Sequence, residues 1–314
     1  MDSIAPLFPV DQRRGIYILE FENGEQYVGQ ALNVVTRFAT HRHGSSHHKP
    51  WTDIVAIQFL PVIEEHLTPI EFTHIARLRR GGIELRNKIG NFGHLQPSGL
   101  DEIISVEEQE HWVLGQGTYG SAPFDFGDVG ISPKLVEKLR LKDPELLLKI
   151  LSDLRFALEG LVPNTPELES QYWTLSDYPS TAGGRFATFN LGVLEFVVFP
   201  RTKFHIDEED LRYFGFINFP EGTLIPEEEW EPWGEFTLVG PEPLCFCVCI
   251  EYDLCRTDRL YFEVGRLSEL FQGNAEVLGA ARSMAIELMR QNKSNLFRRW
   301  HSRPLVRGVI ESGA

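Results

Sequence analysis

Residues 15–31 read Gly15-Ile16-Tyr17-Ile18-Leu19-Glu20-Phe21-Glu22-Asn23-Gly24-Glu25-Gln26-Tyr27-Val28-Gly29-Gln30-Ala31. Both halves are rich in β-branched and aromatic residues. Asn-Gly between two such runs signals a hairpin, because a tight turn needs positive φ and glycine adopts it without steric cost. Tyr17 and Tyr27 therefore fall on paired strands. Strand side chains alternate between faces with period two, so loop length decides whether the two phenols meet. A two-residue loop at Asn23-Gly24 pairs Glu22 with Glu25 and points the tyrosines to opposite faces. A three-residue loop, Glu22-Asn23-Gly24 with Gly24 left-handed, pairs Phe21 with Glu25 and Leu19 with Tyr27. Both phenols then share a face. If the tyrosines act together, the odd loop is required.

Downstream, Asn33 is placed to cap a helix that opens over Val34 to Thr40, and Arg37 and His41, four apart, share one of its faces. Trp51 to Val62 alternates like a strand. Thr68-Pro69-Ile70-Glu71 opens a second helix, which Gly81-Gly82 ends, and Asn87 follows. Taken singly these residues are bland. Strands favour tyrosine, Arg37 and His41 would suit a solvated helix face, and Glu71 could merely complete a capping box with Thr68. One carboxylate cannot both bond the Thr68 amide and enter a cleft, so Thr68 is expected to cap alone while Glu71 faces the hairpin.

In order, GIYILEF, YVGQALNVVTRFATHRH, EFTHIARLRR and LRNK resemble the GIY-YIG nuclease superfamily, over roughly residues 12–95. The resemblance implies phosphodiester hydrolysis, in which a water loses its proton as it attacks phosphorus and charge on the phosphate and leaving oxygen is stabilised. It casts Tyr17 as general base or water-positioning group and Tyr27 beside it on the water or a phosphate oxygen. Arg37 would hold the phosphate, and His41 would relay the proton or bind phosphate. Glu71 would ligate one Mg²⁺ or Mn²⁺, and Asn87 would orient Glu71 or the scissile phosphate, with Asn91 competing for that place. A free phenol titrates near about 10, so Tyr17 needs the positive charge of Arg37 and a metal to favour its ionised form.

His41-Arg42-His43-Gly44-Ser45-Ser46-His47-His48-Lys49 is histidine-dense. A closed zinc site would need four ligands, and no cysteine is near. A phosphate-binding loop is the preferred reading, with Arg42, His43, His47, His48 and Lys49 as nucleic-acid contacts, Arg42 and Lys49 foremost.

The net charge of −15 looks wrong for a partner of nucleic acid, yet it is unevenly placed. Residues 1–100 hold equal numbers of basic and acidic side chains, so the whole excess lies downstream. Asp207-Glu208-Glu209-Asp210 and Glu227-Glu228-Glu229 would repel a phosphate backbone, and are read as a solvated acidic surface or a site for a basic partner. Met1 to Arg14 lacks the apolar core of a secretory signal, and no run is long enough to span a bilayer, so a cytoplasmic enzyme without membrane attachment is expected. All the cysteines fall between Cys245 and Cys255. Alternation puts Cys245, Cys247 and Cys249 on one face of a strand, with Phe246, Val248 and Ile250 on the other. That suits a strand buried on both faces better than a zinc site, since three ligands on one extended strand converge poorly on a tetrahedron.

The expected organisation is a nuclease domain over 1–95, a linker over 96–131, and an acidic α+β domain over 132–314 with a basic C-terminal helix. The fold class is thus α+β: a small unit of hairpin, helix, third strand and helix, followed by a larger α+β domain. In the latter, Ser132-Pro133 and Asp143-Pro144 read as caps with proline at the first helical position. Leu146, Leu147, Ile150, Leu151, Leu154 and Leu158 give one broad apolar helix face, ending near Gly160. Strand-like runs cover Arg185–Phe199, Phe236–Leu238, Cys245–Glu251 and Arg259–Val264, and helices follow around Arg266–Gln272 and Asn274–Arg299. Arg282, Arg290, Lys293, Arg298, Arg299, Arg303 and Arg307 make the end of the chain basic. They could contact nucleic acid, with Trp300 to stack, or lie across acidic groups of their own domain.

The functional expectation is a metal-dependent endonuclease acting on nucleic acid, DNA foremost, with a C-terminal recognition or regulatory domain. Such a protein would suit bacterial restriction, phage defence or a toxin system, with a protein partner or a second copy engaged through the C-terminal domain. The alternative is a nucleic-acid or protein binding module on a catalytically silent GIY-YIG fold inside a complex.

Overall fold

The computed structural model describes residues 3–44, 50–63, 67–87, 97–116, 123–127, 132–180, 184–205, 210–225, 237–238, 245–252 and 255–312. They form an α+β protein that divides into two compact units, Met1–Pro97 and Ser98–Ala314.

In the first unit, β1 (Gly15–Phe21) is central, flanked antiparallel by β2 (Gln26–Ala31) and β3 (Ile54–Pro61). The helices are α1 (Val34–His43) and α2 (Leu67–Arg80). The β1–β2 register pairs Leu19 with Tyr27 and Tyr17 with Gly29. Phe21 N–H donates to Glu25 at 3.0 Å, Gly24 N–H closes on Phe21 at 2.9 Å, and Gly24 has φ +85°. The loop is therefore the three-residue one. It sets Tyr17, Leu19 and Phe21 on one face of β1, where they pack with Ile4, Ala31, Val34 and Phe38 and with the half-buried Tyr27, Trp51, Ile57 and Phe59. Ile16 and Ile18, on the other face, are buried too, as befits a middle strand.

Asn33 caps α1, accepting from Val35 N–H at 3.1 Å and Thr36 N–H at 3.5 Å. Two boundaries differ from expectation. The third strand begins at Ile54, which leaves Trp51 in the preceding loop, where its N–H is spent on the carbonyl of His41 at 2.7 Å. The second helix already includes Leu67, so Thr68 lies within its first turn and is not its cap.

The second unit begins earlier than the expected linker allows. Residues 98–116 belong to it: a 3₁₀ turn at Gly99–Glu102 and α3 (Val106–Val113), both opened by serine capping boxes at Ser98 and Ser105. Poor periodicity hid them because each is short and anchored by polar groups. Buried Gln109 donates to Asp101 at 2.9 Å, and Arg290 bonds both. The helices α4 (Lys134–Leu139), α5 (Pro144–Leu161) and α6 (Thr165–Leu168) follow. Every apolar residue expected on α5 is buried, and Asp143 caps it by accepting from Leu146 N–H at 3.0 Å. Ser132 does not cap α4. Asp177, arriving from a strand, takes the N–H groups of Lys134 and Leu135 at 2.7 and 2.9 Å.

The sheet contains β4 (Trp173–Asp177), β5 (Arg185–Leu191), β6 (Leu194–Pro200), β7 (Lys203–His205), β8 (Leu211–Pro220), β9 (Thr237–Leu238), β10 (Phe246–Glu251) and β11 (Arg256–Glu263). Its path is β4-β5-β6-β8-β11-β10-β9, all antiparallel, with β7 beside β8. The run read as one strand over 185–199 is a hairpin, turned where Gly192 has φ +54°. Cys247 and Cys249 alternate with Val248 and Ile250 on β10, and all four are buried, so the thiols serve as small hydrophobes. Burial raises the Cys247 thiol well above its ordinary range and takes that of Cys255 up to about 11.

The C-terminal helix is broken. The helix α7 (Ala275–Gln291) ends where Ser294 bonds Gln171 and Tyr172 through its N–H and Oγ, at 2.7 and 2.6 Å. A 3₁₀ turn at Arg298–Trp300 and α8 (Arg303–Glu311), capped by Ser302, complete the chain. Much of the basic charge expected on its surface is used internally. Arg282 donates to the carbonyls of Gly160 and Trp112, each at 2.9 Å, and lies over the Trp112 ring. Arg303 meets Glu169, and Arg307 meets Glu311. Asp210 pairs with Arg212 at 2.6 Å, while Asp207, Glu208, Glu209 and Glu227 to Glu229 lie outside the described residues. Among the described residues, no helix is long and apolar enough to cross a membrane.

Candidate active site

The hairpin register delivers Tyr17 and Tyr27 to one face, their ring centroids 6.1 Å apart. The two glycines of the motif have steric reasons. A Cβ on Gly15 would sit 2.0 Å from the Leu60 carbonyl oxygen across the sheet. One on Gly29 would sit 2.4 Å from both Cζ and Oη of Tyr17. Only glycine lets the phenol lie against the β2 backbone.

The helix α1 brings His41 onto this pair. Its Nε2 lies 2.7 Å from Tyr17 Oη, in a buried contact, and Tyr27 meets the imidazole edge-on at 5.2 Å. One turn earlier, Arg37 hydrogen-bonds the Tyr17 phenol, and the Glu71 carboxylate of α2 is near enough for its charge to act on the same group. Tyr17, Tyr27, Arg37, His41 and Glu71 thus gather in one place.

The electrostatics differ from expectation. Burial pushes the Tyr17 pKa well above its ordinary value, Tyr27 and Glu71 raise it further, and Arg37 opposes them with its charge and hydrogen bond. Desolvation outweighs Arg37 because Tyr17 is only 1% exposed. The phenol is neutral in this state. Arg37 can only donate and so occupies a lone pair of Oη, and the O–H of the neutral phenol donates to His41 Nε2 when the imidazole proton is on Nδ1.

Trp51, in the loop before β3, is part of the same cluster. Its ring stacks on His41 at 4.5 Å with an interplanar angle of 1°, and meets Tyr27 and Phe21 edge-on at 5.0 and 5.3 Å. With its N–H on the His41 carbonyl, Trp51 holds the imidazole by face and by backbone. The signal available in sequence was a tryptophan ten residues after the histidine, just beyond a polar loop.

Asn87 takes a different position from the expected one. It is buried, its Oδ1 accepts from Val28 N–H at 2.8 Å, and its Nδ2 donates to Val28 C=O at 2.6 Å. The chain beside it runs parallel to β2, with Gln26 N–H on Glu84 at 2.8 Å and Arg86 N–H on Gln26 at 2.7 Å. The Asn87 amide therefore continues a backbone ladder, fixing the strand next to Tyr27. Arg86 braces the turn as well, paired with Glu25 and Asp53 and lying 3.6 Å over the Phe21 ring. Asn91 lies outside the described residues.

Of the residues expected to contact nucleic acid, Arg42 donates to the Thr52 carbonyl at 2.5 Å, and His43 is exposed at the end of α1. His47, His48 and Lys49 lie outside the described residues. Among the described residues, no group of three His, Cys, Asp or Glu side chains is placed to cage a metal ion. The Glu71 carboxylate suits a hard divalent ion that keeps most of its waters, as Mg²⁺ does.

No family model matches this chain. No curated protein and no solved structure matches it either. The first unit brings a tyrosine–histidine hydrogen-bond contact, a permanent cation and a carboxylate together beside one small sheet.

Proposed function

We propose that the first unit is a metal-dependent endonuclease site that hydrolyses phosphodiester bonds, DNA foremost, and that the second unit recognises or regulates. The observation that carries this reading is the buried 2.7 Å contact between Tyr17 Oη and His41 Nε2, with Arg37 bonded to the same phenol and Glu71 close by.

Because burial keeps Tyr17 protonated, the phenol does not act as a preformed base. It passes protons: Oη takes one from the attacking water as its own moves to His41 Nε2, so the imidazole is the acceptor. Arg37 holds the phosphate and stabilises charge on Oη while the proton is in transit. Tyr27, edge-on to the imidazole, bonds the water or a phosphate oxygen. Glu71 would hold Mg²⁺ or Mn²⁺, which supplies charge neutralisation at the leaving oxygen. Asn87 and Trp51 support this group without touching substrate. One such site cuts one strand, so double-strand breaks require two copies or two successive nicks.

The test is nicking of supercoiled plasmid, and cleavage of single-stranded, branched and RNA substrates, by the full chain with Mg²⁺ or Mn²⁺. Tyr17→Phe, His41→Ala and Glu71→Ala serve as controls. Cleavage by the wild type and its loss in all three variants is expected. If the wild type is as silent as the variants on every substrate, the enzyme reading fails and the binding-module reading takes its place. Restriction, phage defence or a toxin role is the context such an activity suits.

A further inference from the structure

The second unit holds two arginines that share one aromatic ring. Arg259 on β11 stands across from Asn218 on β8. Its guanidinium lies 4.2 Å from the centroid of Phe216, and Arg185 of β5 approaches the same ring at 6.0 Å. Arg185 pairs with Glu195 at 2.9 Å, but its Nε is buried without a hydrogen-bond partner. Arg259 has no carboxylate partner among the described residues. Its contacts are neutral: the Tyr252 hydroxyl, the Tyr261 hydroxyl at 3.5 Å and Asn218 Oδ1 at 3.4 Å.

Among the described residues, Glu195 pairs with Arg185 and no carboxylate pairs with Arg259. Arginine does not shed its proton at any useful pH, and withdrawing an uncompensated charge from water is costly unless an anion completes it. Tyr252 adds a donor. Its Oη accepts from Arg259 and from Asn218 Nδ2, the latter at 3.2 Å, so both lone pairs are used and the O–H remains as a donor. Arg259, Tyr252 and Tyr261 are only half-buried, so a solute can reach the cluster. Donors arrive from β5, from β11 and from the residue after β10. That spread suits a tetrahedral oxyanion with several acceptor oxygens better than a planar carboxylate gripped from one side.

We propose that Arg185, Arg259 and Tyr252 form a phosphate-binding site in the second unit, separate from the tyrosine–histidine site and independent of the nuclease reading. The phosphate could belong to a free nucleotide or to the 5′ end of a strand. The test is titration of the full chain with inorganic phosphate at constant ionic strength, read by calorimetry and by Tm, with citrate as the carboxylate control. Saturable binding is expected in the wild type and in Arg37→Gln. Arg259→Lys keeps the charge but loses the fork, and is expected to bind roughly tenfold more weakly or worse. In the Arg37→Gln background Arg259→Gln should abolish binding, and Tm without phosphate shows whether each variant is folded. Tighter binding of 5′-AMP than of phosphate would identify a nucleotide as the source. Tighter binding of a 5′-phosphorylated oligonucleotide than of its 5′-hydroxyl counterpart would identify a strand end. The proposal is overturned if phosphate gives no effect beyond matched chloride, if citrate binds as well, or if Arg37→Gln removes binding while Arg259→Lys leaves it intact.

Discussion

Gly29→Ala is the sharpest probe of the first unit, because its consequence can be worked from distances. The added methyl would lie 2.4 Å from Cζ and Oη of Tyr17 and 2.9 Å from Cε1. Non-bonded carbons rest at about 3.5–4.0 Å, so the phenol must retreat by roughly 1 Å. It has little room to do so, being buried and held to His41 at 2.7 Å. A shift of that size stretches the bond beyond range or ruins its angle. Overpacking costs about 1–3 kcal/mol, and a weakened buried hydrogen bond adds about 1 kcal/mol. Displacing a reacting group by about 1 Å lowers turnover on the order of 100-fold. Gly24→Ala is the matched control. Its φ of +85° disfavours alanine, but nothing lies within 4 Å of the new methyl, so it costs only about 1–2 kcal/mol and leaves the rings in place. Native-state hydrogen exchange of the β1 and β2 amides reads local stability without assuming an activity. Gly29→Ala should speed exchange by roughly 30-fold or more, and Gly24→Ala by clearly less. Should the two variants exchange alike, or Gly29→Ala nick plasmid at the wild-type rate, the close approach of phenol and backbone has no bearing on the site.

Trp51→Phe keeps an aromatic face against His41 and should retain most turnover, whereas Trp51→Ala should lower kcat about tenfold with KM little changed; ¹⁵N shifts of His41 would then show a mixed tautomer, and unchanged shifts would count against the clamp. Asn87→Ala removes the two bonds to Val28 and should destabilise the β2 edge by about 2–4 kcal/mol, read as faster exchange at Val28 than at Leu19; equal exchange at the two positions would count against the bracing role. Asp153 on α5 is buried, and that burial raises its pKa to about 7, although it accepts from Gly265 and Leu267 N–H at 2.6 and 3.0 Å. A carboxyl that holds its proton more tightly folded than unfolded makes stability fall as pH rises from its unfolded value near about 4 toward 7. Asp153→Asn should flatten that part of the Tm–pH curve, and an unchanged slope would place the titration elsewhere.

Much of this was legible because the signals are local. Asn-Gly between alternating runs dictated the hairpin, Asn33 and Asp143 announced helix starts, and the leucine spacing of α5 announced its buried face. What escaped depends on distant partners. Ser132 has the right chemistry to cap α4, but Asp177 from β4 reaches the amides instead. β8, in the middle of the larger sheet, was not marked out, since Leu211 to Pro220 lacks clean alternation when both faces are covered. The stretch 98–116 looked like a linker because its order comes from Arg290, far along the chain. At the site, residue types were readable but not burial, and burial reverses the expected ionisation of Tyr17. Asn87 was found by its surroundings, yet its role is visible only once Val28 is seen to lie opposite.

The Asn87 side chain also bears on how copies of this protein could associate. A strand at the rim of a sheet offers unmatched N–H and C=O groups to any passing chain, and such rims seed aggregation or strand exchange. Along β2 that invitation is withdrawn: residues 84–86 engage Gln26, and the Asn87 carboxamide takes both groups of Val28 as a neighbouring peptide would. Among the described residues, β3 is paired only with β1, and it carries the exposed Val55 and Leu60. Among the described residues, β3 is therefore the edge at which this sheet can be extended by another strand.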